Sequence, residues 1–124
     1  MKYLFTISLL VLFNPSIFSQ NNIKGTAWEV SYRNEPPSWI YLVGVGGNNY
    51  TSNRYIVMNK NGSILTYTTP QTWTLKGKKV VFKSTYMRGG HTLSGTINDE
   101  GNYISGIAMN SDGDVWDWWA KRIN

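Results

Sequence analysis

Apolar and polar residues alternate along nearly all of the chain after residue 24, and a helical period is nowhere sustained. The clearest case is GTAWEVSYR, where Trp28, Val30 and Tyr32 fall on one side and Glu29, Ser31 and Arg33 on the other. Further runs of this kind are SWIYLVGV, NRYIVMN, SILTYTT, QTWTLKG, KKVVFKSTY, HTLSGTIN, NYISGIAMN and DVWDWWAKRI. All are rich in Val, Ile, Thr, Tyr and Trp, the residues that suit a pleated surface with one face buried. Between them stand NKNG, KGKK, NDEGN and NSDGD, short separators whose glycines supply a positive φ for tight turns. Strands joined in sequence by tight turns make an antiparallel meander.

A meander that closes on itself with antiparallel neighbours throughout needs an even number of strands, and the runs above number nine. The weakest boundary is TTPQT. Pro70 has no N–H for a ladder, but a bend can accommodate it. Residues 63–76 therefore read as one long strand bent near Pro70, pairing first with residues 54–59 and then with 79–86. The expectation is an all-β fold, an eight-stranded antiparallel up-and-down barrel. At eight strands, side chains just fill a barrel or leave room for one small ligand.

Strand parity then sorts the C-terminal cluster DVWDWWAKRIN. Trp116, Trp118, Ala120 and Arg122 share one face, and Val115, Asp117, Trp119, Lys121 and Ile123 share the other. The second set carries Asp117 and Lys121 and so faces water, which sends Trp116 and Trp118 inward and leaves Trp119 outside. In a closed barrel the last strand returns beside the first, so Arg122 comes to lie next to Trp28. An inward arginine needs a partner, and the face of an indole with nearby carbonyls can provide one. Tyr32, Trp39, Tyr41, Trp116 and Trp118 then point inward nearer the opposite mouth, either as core filling or as the lining of a cup.

GTAW at residues 25–28, LSGTI at 93–97, ISGIAMNSDG at 104–113 and the closing WAKRI resemble the small bacterial lipocalin-like proteins, a calycin-type barrel family. The resemblance runs over most of the chain beyond residue 20, through motifs that are short. It implies that the strand-one tryptophan and the last-strand arginine, here Trp28 and Arg122, pack together at the closed end.

Composition adds a location. Lys2, the apolar run YLFTISLLVLF, the helix-breaking Asn14-Pro15 and the stretch SIFSQ read as a cleavable signal peptide over residues 1–19, with the barrel domain spanning 20–124. The run is too short for a transmembrane anchor, which needs about 20 residues. A secreted or periplasmic protein is expected. The chain has no cysteine, which excludes disulfides and a thioether-linked lipid. Its net charge is +5, part of it from Lys2. The one dense basic run, KGKKVVFK, alternates Lys79, Val81 and Lys83 against Val80 and Phe82. That is a solvated face over a core face, not a nucleic-acid site.

Catalytic chemistry finds few candidates. His91 is the single histidine and sits after two glycines in RGGHT, which reads as a solvated loop, so no zinc site is expected. NSDGD lacks the trailing glutamate of a calcium loop. No nucleophile elbow or phosphate-binding loop is present, and alternation places Glu29 and Asp117 outside. No metal and no cofactor are expected, and no enzyme activity.

The reading that follows is a non-catalytic barrel binding a small apolar or aromatic ligand in its aromatic-lined interior. One alternative is carbohydrate or cell-surface binding through exposed aromatics such as Trp119, Trp73 or Tyr103. Another is an inhibitor-like protein-interaction module acting through residues 34–38 and 46–53. Trp119, with Val115 and Ile123 beside it, is also the face for a weak dimer of an otherwise monomeric protein.

Overall fold

The computed structural model describes residues 22–33, 35–45, 53–65, 71–85 and 90–124. The export segment at 1–19 lies outside them. Eight antiparallel strands form a nearly closed barrel: β1 (Ala27–Tyr32), β2 (Glu35–Val43), β3 (Tyr55–Asn59), β4 (Gln71–Lys76), β5 (Lys79–Ser84), β6 (His91–Ile97), β7 (Tyr103–Asn110) and β8 (Val115–Arg122). Their order around the wall is β3-β2-β1-β8-β7-β6-β5-β4. The first and last strands thus meet in the middle of the sheet, with Trp28 opposite Arg122 and Tyr32 opposite Trp118.

Closure between β3 and β4 is lighter. Among the described residues it includes an Arg54–Thr72 bridge and the bond from Trp73 N–H to the Asn53 carbonyl at 2.9 Å. Upstream, Ile64 bridges Met58, and Leu65 N–H donates to the Val57 carbonyl at 2.9 Å. The chain therefore pairs first with β3 and later, through β4, with β5, in the order the bent-strand reading gives. Residues 66–70, including Pro70, lie outside the described set.

Three turns are built by one device. Asn59, Asn98 and Asn110 each end a strand or follow it directly, and each is followed three residues later by glycine. The carboxamide oxygen of Asn98 accepts from the N–H groups of Asn102 and Tyr103, that of Asn110 from Asp112 and Asp114, and that of Asn59 from Asn61 and Ser63. The N–H of Gly62, Gly101 and Gly113 returns to the carbonyl of the respective asparagine at 3.0–3.1 Å. Each glycine has φ between 73° and 94°, a conformation only glycine adopts without strain. An Asx-type cap followed by a left-handed residue reverses the chain at little cost.

Alternation decides burial. Trp28, Val30, Val80, Phe82, Ile97, Ile104, Ala108 and Ala120 are wholly enclosed, while Lys79 and Lys83 are exposed on the other side of β5. Two glycines make room for one of the largest core side chains. Trp118, Gly106 and Gly95 lie directly opposite one another on β8, β7 and β6. A Cβ on Gly95 would stand 2.9 Å from the Trp118 ring, and one on Gly106 would stand 1.9 Å from the Ser94 carbonyl oxygen. The Trp118 indole N–H donates to that same carbonyl at 3.0 Å.

Candidate functional site

The end of the barrel at Trp28 is sealed by the chain itself. Ile23 tucks beneath the first strand at 1 % exposure, and Trp28 above it is fully buried. The Trp28 indole N–H donates to the Thr26 hydroxyl at 2.6 Å, and that hydroxyl donates in turn to the Ile23 carbonyl. Gly25 N–H and Val43 N–H hold the segment to the end of β2. From the other side of the seam, the Asn124 carboxamide accepts from Ala27 N–H at 2.7 Å and donates to the Gly25 carbonyl.

Arg122 takes a different place from the one expected of it. It faces Trp28 in register, yet its side chain is exposed and its Nε donates to the Asn124 carbonyl at 2.7 Å. The guanidinium stays in water because it lies at the last rung of β8, where it can reach past the indole. The plug is Trp28 with Ile23 and Thr26, and Arg122 belongs to its outer fastening.

The middle of the interior is filled by rings. Tyr41 stacks on Tyr55 with centroids 5.0 Å apart, and Phe82 meets both edge-on at 5.5 and 5.1 Å. Phe82 also meets Trp118 at 6.0 Å. Offset and edge-on contacts of this kind are the favoured aromatic geometries. Burial pushes the Tyr32 hydroxyl up to about 12 and those of Tyr41 and Tyr55 well above the ordinary phenol range. The Tyr32 and Tyr41 hydroxyls are hydrogen-bonded to each other. Burial in a low-dielectric layer disfavours the ionised forms of these phenols.

Nearer the other end, Tyr32, Trp39 and Trp116 pack against the core while remaining partly exposed. Tyr32 closes β1, Trp39 lies opposite Asn59 at the end of β3, and Trp116 is the second residue of β8. All five residues expected to line the interior therefore belong to the core cluster or border it. Tyr41 and Trp118 are buried in the filled layer, and the other three form its partly open surface.

Two further residues join Trp116, and neither was expected there. His91 opens β6 on the inner face, opposite Ser84 and Asn110, and meets the Trp116 ring edge-on at 5.9 Å. It is not a solvated loop histidine, because the ladder with β5 extends up to it. Partial burial lowers its pKa, so at neutral pH it is an uncharged imidazole. Arg33 holds its guanidinium 4.9 Å from the Trp116 ring centre. It has φ of 58°, a left-handed conformation uncommon for a residue with a side chain. That conformation breaks the period-two alternation of β1, which alone would have sent Arg33 outward.

The indole N–H of Trp116 is buried and meets no acceptor among the described residues. Trp73 shares this property, and at 5 % exposure it is a core residue, not an exposed aromatic. Its strand alternates Gln71, Trp73 and Leu75 inward against Thr72, Thr74 and Lys76. Outside, Trp119 is partly buried on the outer face of β8, near-parallel to Tyr103 at 6.5 Å and with the Lys121 ammonium 5.1 Å from its ring. Of the two loops considered for protein interaction, residues 46–52 and Asn34 lie outside the described set.

Among the described residues, no group of three His, Asp or Glu side chains could hold a metal. No helix there is long and apolar enough to cross a membrane. No protein-family model, no curated protein and no solved structure matches this chain.

Proposed function

We propose that this is an exported, lipocalin-like barrel that binds a small, largely apolar molecule without chemistry. The observation that supports this most is the contrast between its ends. One is closed by Ile23, Thr26 and Trp28, while toward the other Tyr32, Trp39 and Trp116 leave ring surface partly exposed over an aromatic floor. Because Tyr41, Tyr55, Phe82 and Trp118 fill the middle, the ligand rests on that floor and does not run the length of the barrel. Sites for small molecules combine such apolar walls with a few polar groups that fix orientation. The test is intrinsic tryptophan fluorescence titrated with fatty-acid, retinoid-like and planar aromatic probes. Saturable quenching at micromolar probe that weakens in Trp116→Ala supports this reading, and a flat response across the panel removes it.

A second reading rests on the outer face. Trp119 and Tyr103 lie nearly parallel beside Ser105 and Lys121, a combination of ring surface and polar groups suited to a sugar. Trp73 plays no part in it, being buried. Binding of soluble glycans that is lost in Trp119→Ala, with no response to the apolar probes, would favour it.

A further inference from the structure

Three polar features meet around one ring near the partly open end. Trp116 has a buried indole N–H without an acceptor. The Arg33 guanidinium stands 4.9 Å from the centre of its ring. The His91 imidazole meets its edge. Each feature has an ordinary explanation alone, but together they place two donor groups, the Trp116 indole N–H and the Arg33 guanidinium, around one ring beside a neutral imidazole. A buried donor left unpaired is disfavoured, and such groups in native structures call for a water, an ion or a ligand.

Arg33 is available for the same purpose. Lys60 pairs with Glu29 and Lys78 with Asp99. Neither pair involves Arg33, whose backbone N–H is tied to the Asp117 carbonyl at 2.8 Å while its side chain remains exposed. Arg33 is the first residue of the two-residue turn between Tyr32 and Glu35, where a left-handed φ is the usual requirement, and that turn leaves its guanidinium over the inward-facing indole. A guanidinium over a ring is attracted to its face and still has N–H groups to offer at its edges.

We infer that the molecule bound at this end carries a carboxylate, with Arg33 meeting its charge and the Trp116 indole N–H donating to one of its oxygens. The inference rests on the ligand-binding reading above and narrows it to apolar or aromatic acids. A carboxylate supplies acceptors only, which is what a cluster of donors requires. Charge-assisted bonds of this type are roughly twice as strong as neutral ones. His91, neutral at the ring edge, contributes a third polar contact without adding charge. The rest of the ligand lies on the Tyr32 and Trp39 side of the floor.

Matched pairs of probes test this: 2-naphthoate against 2-naphthalenemethanol, and decanoate against decanol, each titrated calorimetrically at pH 7.5. The acid of each pair is expected to bind about tenfold tighter than the alcohol, a difference of about 1.4 kcal/mol. Arg33→Gln should erase that preference while leaving the alcohol's affinity within about twofold, and Arg33→Lys should restore part of it. Trp116→Phe keeps a ring but removes the N–H, and should reduce the acid preference with little change in unfolding midpoint. If acid and alcohol bind alike, or if the preference survives both Arg33→Gln and Trp116→Phe, the carboxylate assignment is overturned and the apolar-ligand reading stands. If no member of either pair binds, the ligand-binding reading itself fails and the assignment goes with it.

Discussion

Trp28 and Arg122 sit directly opposite each other across the β1–β8 seam and share almost nothing of their surroundings. The indole is fully buried and bonded to Thr26, whereas the guanidinium is in water and bonded to the backbone of Asn124. Their contributions to stability should differ accordingly. Trp28→Ala removes the largest side chain of the sealed end and should cost about 3–5 kcal/mol, the range for buried aromatic truncations. Arg122→Ala should cost less than about 1 kcal/mol, as expected for an exposed polar contact. Urea denaturation of both variants checks the contrast, and equal losses would mean that the arginine is part of the packed plug after all.

The glycine pair behind Trp118 makes a sharper prediction. Gly106→Ala has no room, since the new methyl would meet both the Ser94 carbonyl oxygen and the Gly95 backbone. Overpacking of a filled core costs about 1–3 kcal/mol, and backbone atoms are less able than a side chain to move aside. Gly113→Ala, in open space but at φ of 88°, should cost roughly 1 kcal/mol through backbone strain alone. Thermal melts should also show Trp118 fluorescence shifted toward that of exposed indole in Gly106→Ala only.

Alkaline pH should expose the tyrosine layer. Tyr32, Tyr41 and Tyr55 have folded-state values raised by burial, so they favour the folded state while neutral. Their contribution is complete below the ordinary phenol value near pH 10 and is lost as the pH rises above it. Ultraviolet titration should therefore show a late ionisation step coincident with loss of the near-ultraviolet circular dichroism. Tyr41→Phe should reduce the late step. If all phenols ionised together near pH 10 with the fold intact, the buried layer would be misplaced.

His91 acts at the opposite end of the scale. Its folded value is lowered by burial, so the unfolded chain binds its proton more readily than the folded one. The linkage favours folding fully above the unfolded value near 6.5 and weakens as pH falls below it toward the folded value. Comparing urea midpoints from pH 8 to pH 5 should show a steeper decline for the native protein than for His91→Gln. Glu29, held low by bonds from Lys60 and Ser38, adds its own loss at more acid pH, and this is common to both proteins.

These pH effects also mark where sequence reading reached and where it stopped. Inward positions followed from period two, because a slip of one residue would have buried Asp117 and Lys121 in place of Trp116 and Trp118. The fold was accessible for the same reason, and counting residues 63–76 as one strand gave the right strand number, while the bend near Pro70 lies outside the described residues. His91 was missed because two glycines before it look like loop, while a ladder is defined by its partner strand and not by the run itself. Trp73 was taken for a surface ring, although Thr72, Thr74 and Lys76 on the alternate positions mark its side as the inner one. Gln71 at the head of that inner row, itself buried, obscured the signal. Arg33 was beyond reach, since nothing in its neighbours announces a left-handed backbone.

The lateral order of the strands carries a consequence for how the chain acquires its shape. Its middle, β3 and β4, forms the lightly joined margins of the sheet, and its two ends form the centre. Two sub-sheets, β1–β3 and β4–β8, can each zip from local hairpins, but their union requires residues as much as 99 positions apart to find one another. Loop closure on that scale precedes any stabilisation from the central ladder, which makes the joining step the slow one. A nascent chain lacking β8 would keep the inner edge of β1 unpaired, with Trp28 and Val30 in water. The barrel therefore cannot exist until β8 is available to pair with β1.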